Sequence, residues 1–234
     1  MSELVYGKNS VREILKSERK VLKLYLVKED QEIESLAKAK KIAIEYSLKE
    51  EISRKIKGNH QGYLAIVEEY QYYDLSIVDS FNSKIPFVVI LDSITDPHNL
   101  GAIIRTAEAA KVDAVIIPKN RSAEVNSTVT KTSTGATEHV RIIRVNNLNQ
   151  TIKVLKEKGY WIVGTENTDK SILYTELKYD FPVALVIGSE GKGISQLVAK
   201  NCDYLIKIPM KGKINSLNAS VSAGILIYEI IRNR

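Results

Sequence analysis

After residue 86, the hydrophobic residues fall into short, unbroken runs that are separated by segments of helical periodicity. The runs are FVVILDS (87–93), AVIIP (114–118), VRIIRV (140–145), WIVGT (161–165), VALVIGS (183–189) and YLIKIP (204–209). Helices are predicted between them at 96–111, 126–132 and 148–158, and again from residue 219. Because strands without polar alternation are buried on both faces, this half predicts an α/β domain with a parallel sheet.

The first 70 residues predict a second, smaller α/β domain. Ser10 can cap a short helix, and the runs at 23–28 and 63–70 predict strands. The next segment has no sustained period and ends at a proline, which is typical of a linker. The predicted organisation is a domain at 1–70, a linker at 71–85 and a larger domain at 86–234.

The composition is that of a basic globular protein. Its 234 residues include 34 Lys and Arg against 28 Asp and Glu, which gives a net charge of +6. Basic clusters at 16–23, 38–41 and 54–57 place much of this charge in the smaller domain and favour a polyanionic partner. No apolar run approaches the ~20 residues that cross a bilayer, so we expect no membrane partner and a cytoplasmic protein.

The cysteine and histidine residues predict no metal site. The one cysteine, Cys202, excludes an internal disulfide and a cysteine-rich metal site, and it is expected to be a buried structural thiol. His60, His98 and His139 lie in different segments and lack the spacing of metal ligands. We therefore expect polar structural roles for the histidines.

Three polar segments follow predicted strands of the larger domain. They are NLGAIIR (99–105), GSEGKG (188–193) and IPMKGKINSLNASVSAG (208–224). Because ligands of parallel α/β sheets gather at the carboxyl ends of the strands, these segments predict one site. GSEGKG lacks the Lys-Ser/Thr ending of a P-loop, and no G-x-G-x-x-G follows the first strand, which argues against nucleotide triphosphatases and dinucleotide oxidoreductases.

Each segment taken alone also has a structural interpretation. Three glycines in six residues often form a plain turn, Asn218 can be an ordinary N-cap, and Arg105 can be a surface arginine. Glu190 favours a site, since a structural turn has no need of a carboxylate. Arg105 is predicted to project at the strand ends, where a guanidinium can hold a phosphate group.

Together and in this order, the three segments resemble the motifs of the SpoU/TrmH family of SPOUT RNA ribose 2'-O-methyltransferases. The resemblance implies S-adenosylmethionine as the cofactor, held by backbone groups at Gly188, Ile208 and Leu217, where glycine permits a close approach. It also implies a catalytic set of polar residues, namely Asn99, Arg105, Glu190, Ser216 and Asn218.

The resemblance implies that the arginine of the first motif activates the ribose 2'-hydroxyl for attack on the methyl group. At pH 7 a free arginine is neutral in only about one part in a hundred thousand or fewer, which makes it a poor base. We therefore expect Arg105 to hold the phosphate and to lower the pKa of the 2'-hydroxyl electrostatically.

The resemblance extends to assembly and substrate. It implies a homodimer and a C-terminal trefoil knot, and the last helix, apolar nearly all round, is expected in a core or at a subunit interface. VYGKNSVREIL, NHQG (59–62) and KTSTGATEHVRIIRV resemble the subgroup that methylates a guanosine of 23S rRNA. The smaller domain is then an RNA-binding domain that selects the substrate, and a chain that begins near Ser83 is expected to fold without it.

Other functions stay open at this point. Relatives that modify tRNA share all three motifs, so tRNA is the alternative substrate. A non-catalytic RNA-binding or ribosome assembly protein could retain the motifs without turnover. A metabolic enzyme with a small-molecule substrate would not need the basic first domain.

Overall fold

The computed structural model describes residues 2–234, which form two compact units. One unit contains residues up to Gln71 together with Glu124–His139, and the other contains Tyr72–Ala123 together with Val140–Arg234. In chain order, the strands and helices are β1 (Ser2–Tyr6), α1 (Lys8–Lys16), β2 (Val21–Leu26), α2 (Gln31–Ala39), β3 (Ile44–Tyr46), α3 (Lys49–Lys55), β4 (Tyr63–Glu68), β5 (Phe87–Asp92), α4 (Pro97–Ala109), β6 (Ala114–Pro118), α5 (Ser127–Thr132), β7 (Ile142–Val145), α6 (Leu148–Glu157), β8 (Trp161–Thr165), β9 (Ile172–Leu173), β10 (Val183–Gly188), α7 (Gln196–Asn201), β11 (Tyr204–Lys207) and α8 (Ala219–Arg232).

The larger unit is built on a seven-stranded sheet in the order β7-β6-β5-β10-β8-β11-β9. Every neighbouring pair is parallel. All residues of β5 and β10 are buried, as expected for strands covered on both faces. The predicted α/β fold with a parallel sheet in the second half of the chain is therefore confirmed.

Helices cover both faces of this sheet. On one face, Leu148, Ile152 and Leu155 of α6 and Val198 of α7 share a core with alternate residues of the central strands. On the other face α4 packs against α8, and α8 also contacts β10. The apolar last helix therefore buries Leu226, Ile227 and Ile230 within its own chain.

The smaller unit has a four-stranded sheet in the order β1-β4-β2-β3. Helices α1 and α2 cover one face, where Ile14, Leu24 and Ile33 are fully buried. Helix α3 contributes Ile52 to a small cluster with Tyr6, Tyr25 and Leu64. The predicted small N-terminal α/β domain is present.

The segment Glu124–His139 is far away in sequence but belongs to the smaller unit. The Ser10 hydroxyl donates to the carbonyl of Thr130 at 3.2 Å, and the Tyr70 hydroxyl donates to the carbonyl of Thr137 at 3.2 Å. Arg19 bonds Glu138 at 3.3 Å, and both side chains are nearly fully buried. Arg19 belongs to the basic cluster at 16–23 that was expected to favour a polyanionic partner, but its guanidinium is enclosed by the carboxylates of Glu3 and Glu138.

Several local details differ from the sequence prediction. Gly7, rather than Ser10, occupies the N-cap of α1, and Ser10 is buried instead. The interval 71–85, predicted as a linker, contains a 3-10 helix at Leu75–Ser80, and Tyr73 pairs with Ile143 of β7. Among residues 2–234, none of the helices has the length and apolar character needed to cross a bilayer.

Candidate active site

The carboxyl ends of four adjacent parallel strands form the candidate site. β5, β10, β8 and β11 are neighbours in the sheet, so the segments that follow them emerge at one edge. Asn99 lies in α4 after β5, the GSEGKG loop begins at the end of β10, and the 208–218 segment links β11 to α8. The structure thus brings the three polar segments together.

Glu190 connects the starts of two helices through one carboxylate oxygen. Its Oε1 accepts hydrogen bonds from the side-chain amides of Asn99 at 2.9 Å and Asn218 at 2.5 Å, and from the backbone N–H of Ala219 at 3.2 Å. The Asn218 amide also donates to Oδ1 of Asn99 at 2.9 Å. Asn99 lies 91 positions from Glu190 in the sequence, and Asn218 lies 28 positions from it. The fold therefore brings these distant side chains into one polar network.

Asn218 is at the same time the N-cap of α8. Its Oδ1 accepts hydrogen bonds from the backbone N–H groups of Ser220 at 3.0 Å and Val221 at 3.3 Å. The carboxylate of Glu190 lies at this helix N-terminus, where the helix dipole favours negative charge. The ordinary capping role and the network role thus belong to the same side chain, and neither excludes the other.

The GSEGKG loop is held in shape by its glycines. A Cβ at Gly188 would lie 2.1 Å from the carbonyl carbon of Gly193, because Ser189 and Gly193 exchange backbone hydrogen bonds directly above it. Gly191 and Gly193 have φ values of +74° and +65°, which favour glycine. The loop therefore turns back on the end of β10 and presents Glu190 to α4 and α8.

A cavity of about 470 Å³ opens beside this network. Its volume lies within the usual range of sites for small ligands, ~300–1,000 Å³. Of the residues predicted from the motifs, five line it: Gly188, Glu190, Ile208, Ser216 and Leu217. Asn99 and Asn218 do not line it but hold Glu190 at its rim.

Arg105 stands apart from the cavity of its own chain. It is exposed on α4, six residues after Asn99, and it is not among the residues that line the cavity. Within residues 2–234 its guanidinium forms neither a hydrogen bond nor an ion pair. It is a free cation at the surface, as a group that awaits an anionic ligand would be.

Two acidic residues of the site were missed by sequence reasoning. Asp92 ends β5 almost fully buried, and its carboxylate accepts hydrogen bonds from the backbone N–H of Ser195 at 2.7 Å and from Ser93 Oγ at 3.0 Å. It thereby fixes the chain that leaves the GSEGKG loop. Glu166, after β8, lines the cavity. Both residues could have been found in the sequence as carboxylates at the ends of predicted buried strands, although they lie outside the three motifs.

The described residues offer the site no metal-binding cluster, and the side chain of Cys202, which was expected to be buried, is only partly buried. Residues 2–234 contain no cluster of three or more His, Cys, Asp or Glu side chains that could hold a metal ion. Burial raises the pKa of the Cys202 thiol to about 12, with a smaller contribution from Asp203, so this thiol is protonated at neutral pH.

Two known families match the chain. The SpoU rRNA Methylase family matches residues 86–228, and the family described as RNA 2'-O ribose methyltransferase substrate binding matches residues 4–73. The first match contains every strand of the larger sheet and also the segment Glu124–His139 of the smaller unit, whereas the second covers most of the N-terminal part of the smaller unit.

Individual relatives agree with this assignment. YacO of Bacillus subtilis (strain 168), assigned to the TrmH family of tRNA/rRNA methyltransferases, is 44% identical over 99% of this chain and 96% of its own length. The AdoMet-bound rRNA methyltransferase of Sinorhizobium meliloti has a similar structure, with a TM-score of 0.84, 26% identity and coverage of 99% of this chain and 87% of that one. The TrmH/SpoU tRNA modifying enzyme of A. aeolicus is 33% identical, with a TM-score of 0.59 over 65% of this chain and 76% of its own.

Proposed function

This chain belongs to the SpoU rRNA methylase family, and from that premise we propose that it methylates the ribose 2'-oxygen of a guanosine in 23S rRNA. At the coarser level it is an S-adenosylmethionine-dependent RNA 2'-O-methyltransferase. The observation that carries the proposal is the junction of the Glu190 network with the cavity at the strand ends.

The cavity fits S-adenosylmethionine in size and chemistry. It combines apolar residues such as Ile187, Ile206 and Leu226 with polar loop residues, as a nucleoside joined to an amino acid requires. Gly188 lines the cavity without a side chain, and the Gly193 backbone packs so closely against it that the backbone of this loop itself forms part of the cavity wall. Gly188, Ile208 and Leu217 are the residues that would hold the cofactor through their backbone groups.

Bound S-adenosylmethionine supplies an electrophilic methyl group carried by a sulfonium. The residues of the chain orient the nucleophile: Asn99, Glu190 and Asn218 fix the rim of the cavity through their shared hydrogen bonds, with Ser216 beside them. Arg105, whose guanidinium has no partner in the part of the chain that the structure describes, binds the RNA phosphate and stabilises negative charge that develops on the 2'-oxygen.

The choice of 23S rRNA rests on the smaller unit and on the segments that resemble the subgroup of enzymes that methylate 23S rRNA. Its match to a substrate-binding family of ribose methyltransferases and the net charge of +6 support an RNA substrate. The relatives include enzymes named for rRNA and for tRNA, so tRNA is the second candidate.

A transfer assay and an RNA analysis test the two levels of the proposal separately. We expect tritiated methyl groups to pass from S-adenosylmethionine to RNA, and no transfer to any RNA would overturn the enzymatic function. Mass spectrometry of ribosomal and transfer RNA from a deletion strain, with and without complementation, identifies the nucleotide. Loss of a 2'-O-methyl group from tRNA alone would replace the 23S rRNA proposal.

A homodimer with sites completed by both subunits is part of the proposal, as is the trefoil knot implied by the family. Arg105 does not line the cavity of its own chain, and α8 exposes Val221 and Tyr228 while its remaining apolar residues are mostly buried. These observations support a second copy that covers α8 and supplies the missing cation.

A further inference from the structure

Glu166 stands between the two strand ends that frame the cavity. β8 pairs with β10 on one side and with β11 on the other. Continuing the registers Val186↔Gly164 and Ile206↔Thr165 puts Glu166 level with Gly188 and Lys207. The backbone N–H of Glu166 donates to the carbonyl of Ile206 at 3.0 Å, so the start of this loop is fixed to β11.

The Glu166 carboxylate has no partner within the part of the chain that the structure describes. It lines the cavity, yet no hydrogen bond or ion pair reaches its side chain from residues 2–234. In Glu190, the other carboxylate of the cavity, Oε1 already accepts hydrogen bonds from three donors. An ionised carboxylate can only accept hydrogen bonds, so Glu166 offers its oxygens to donors of a ligand.

The charged residues of the cavity indicate which end of the cofactor meets Glu166. Lys192, in the GSEGKG loop on the β10 side, is exposed and has no partner among residues 2–234, so it can bind the carboxylate of the amino-acid moiety. Lys207 instead donates to the carbonyl of Thr168 at 3.2 Å. The adenosine moiety then lies on the β8 and β11 side, where Ile206 and Ile208 provide apolar contacts.

We propose that the Glu166 carboxylate accepts hydrogen bonds from the ribose hydroxyls of S-adenosylmethionine. The inference rests on the proposed function, and it names a binding residue that lies outside the three motifs. A carboxylate that binds a ribose diol at the end of a parallel strand is a chemically familiar arrangement in α/β proteins that bind nucleotides.

Calorimetry on the full-length protein tests the inference without reference to catalysis. The variants are Glu166→Gln and Glu166→Ala, with Asp169→Asn as the matched control because Asp169 is exposed in the same loop and does not line the cavity. The probes are S-adenosylmethionine, 5'-methylthioadenosine, which lacks the amino-acid moiety, and the 2',3'-dideoxy form of 5'-methylthioadenosine. Thermal unfolding of each variant establishes that it is folded.

We expect both Glu166 variants to bind S-adenosylmethionine and 5'-methylthioadenosine about tenfold more weakly or worse, as for loss of a charged hydrogen-bond acceptor. The dideoxy probe should bind the original protein and the Glu166 variants equally, and Asp169→Asn should change every affinity less than about twofold. Weaker binding of S-adenosylmethionine alone would place Glu166 at the amino-acid end and overturn the inference, as would unchanged affinities. Failure of the unmodified protein to bind S-adenosylmethionine would instead overturn the proposed function.

Discussion

Glu190 shows how much of the site depends on single side chains. One oxygen of its carboxylate accepts hydrogen bonds from Asn99, Asn218 and Ala219, which belong to the starts of α4 and α8. Removing that oxygen would leave three donors without their shared acceptor, so the starts of the two helices would no longer be joined at the site. Arg105 differs, because its guanidinium has no hydrogen-bond or ion-pair partner among residues 2–234. Its replacement should therefore affect the reaction and leave the fold intact.

We expect Arg105→Ala to lose methyl transfer by ~100-fold or more while cofactor affinity is unchanged. The residue is exposed and does not line the cavity, so it can act on the RNA and not on the cofactor. Single-turnover transfer and calorimetry with S-adenosylmethionine measure the two effects. Arg121→Ala, which removes another exposed arginine of the same unit, is the control. More than about a tenth of the original rate in Arg105→Ala would contradict the proposed role.

The buried imidazole of His60 should make the smaller unit sensitive to acid. Burial lowers its pKa, with a smaller contribution from Lys49. Nδ1 accepts a hydrogen bond from the N–H of Gly62 at 3.1 Å, and Nε2 lies 3.0 Å from Ser53 Oγ, so protonation of Nδ1 would remove an acceptor. Because the folded pKa is depressed, this stability is present above the ordinary value of ~6.5 and is lost as the pH falls through the folded pKa.

Thermal unfolding between pH 7 and pH 5 measures this dependence. We expect the unfolding temperature of the original protein to fall more steeply over this range than that of His60→Gln, which cannot be protonated there. The variant should be less stable at pH 7, since its hydrogen bonds are imperfect. Parallel curves for the two proteins would show that His60 has no part in the acid sensitivity.

At the scale of the element, the site depends on how loops leave parallel strands. The GSEGKG loop folds back on the end of β10, and Asp92 at the end of β5 holds the residue that follows the loop. The end of β5 thus fixes part of the chain that leaves the neighbouring strand, β10. The exposed face of α8 is a second feature at this scale. It carries Val221 and Tyr228, whereas Ile227 and Ile230 of the same helix are buried in the protomer.

We expect Gly188→Ala to abolish S-adenosylmethionine binding. The added Cβ would lie 2.1 Å from Gly193 backbone, so the loop must open and withdraw Glu190 from Asn99 and Asn218. Gly212→Ala, where a Cβ would meet nothing within 4 Å, is the matched control and should bind normally. Calorimetry on both variants decides the matter, and normal affinity in Gly188→Ala would show that the loop adapts without cost.

We expect Tyr228→Glu to weaken the proposed dimer. This substitution places a charge on the exposed face of α8 at a side chain that is 53% exposed, and it should leave the core of the protomer unaffected. Leu197→Glu on α7 is the control, since that residue is similarly exposed on another helix. Analytical ultracentrifugation at micromolar concentration should show a dimer for the original protein and the control. A stable, active monomer of the original protein would contradict the proposal.

For the whole molecule, the main finding is that the smaller unit is discontinuous in sequence. Glu124–His139 lies between β6 and β7 of the larger sheet, yet its buried side chains Val129 and Thr130 belong to the smaller unit. The ion pair between Arg19 and Glu138 is enclosed in the same unit. The chain therefore crosses between the units three times, after Gln71, Ala123 and His139.

This arrangement changes the expectation for a chain that begins near Ser83. We now expect such a truncated chain to unfold at a lower temperature than the full-length protein, because the segment 124–139 would lose its partners and expose buried apolar and polar groups. A second truncated chain, in which a flexible linker of ~8 Gly and Ser residues replaces this segment, should recover stability and bind S-adenosylmethionine. Equal unfolding temperatures for the two truncated chains would show that the segment needs no partner.

The sequence by itself determined the parallel sheet and the set of motif residues. Unbroken apolar runs such as those of β5 and β10 have few alternatives to a strand buried on both faces, and the order of strands and helices follows from local periodicity. The N-cap of Asn218 is also a local property, so it could be predicted from the residues that follow it.

Tertiary structure alone decided which residues meet. Whether Ser10 caps α1 or is buried against Thr130, and whether Arg19 faces water or Glu138, depends on contacts between residues more than 100 positions apart. The short elements β1, β3 and α3 likewise owe their structure to pairing and packing, since their own residues carry weak local signals. Local sequence thus specifies the elements, whereas the partners of buried polar groups follow only from the complete fold, because their free energy depends on whichever donor or acceptor the fold brings to them.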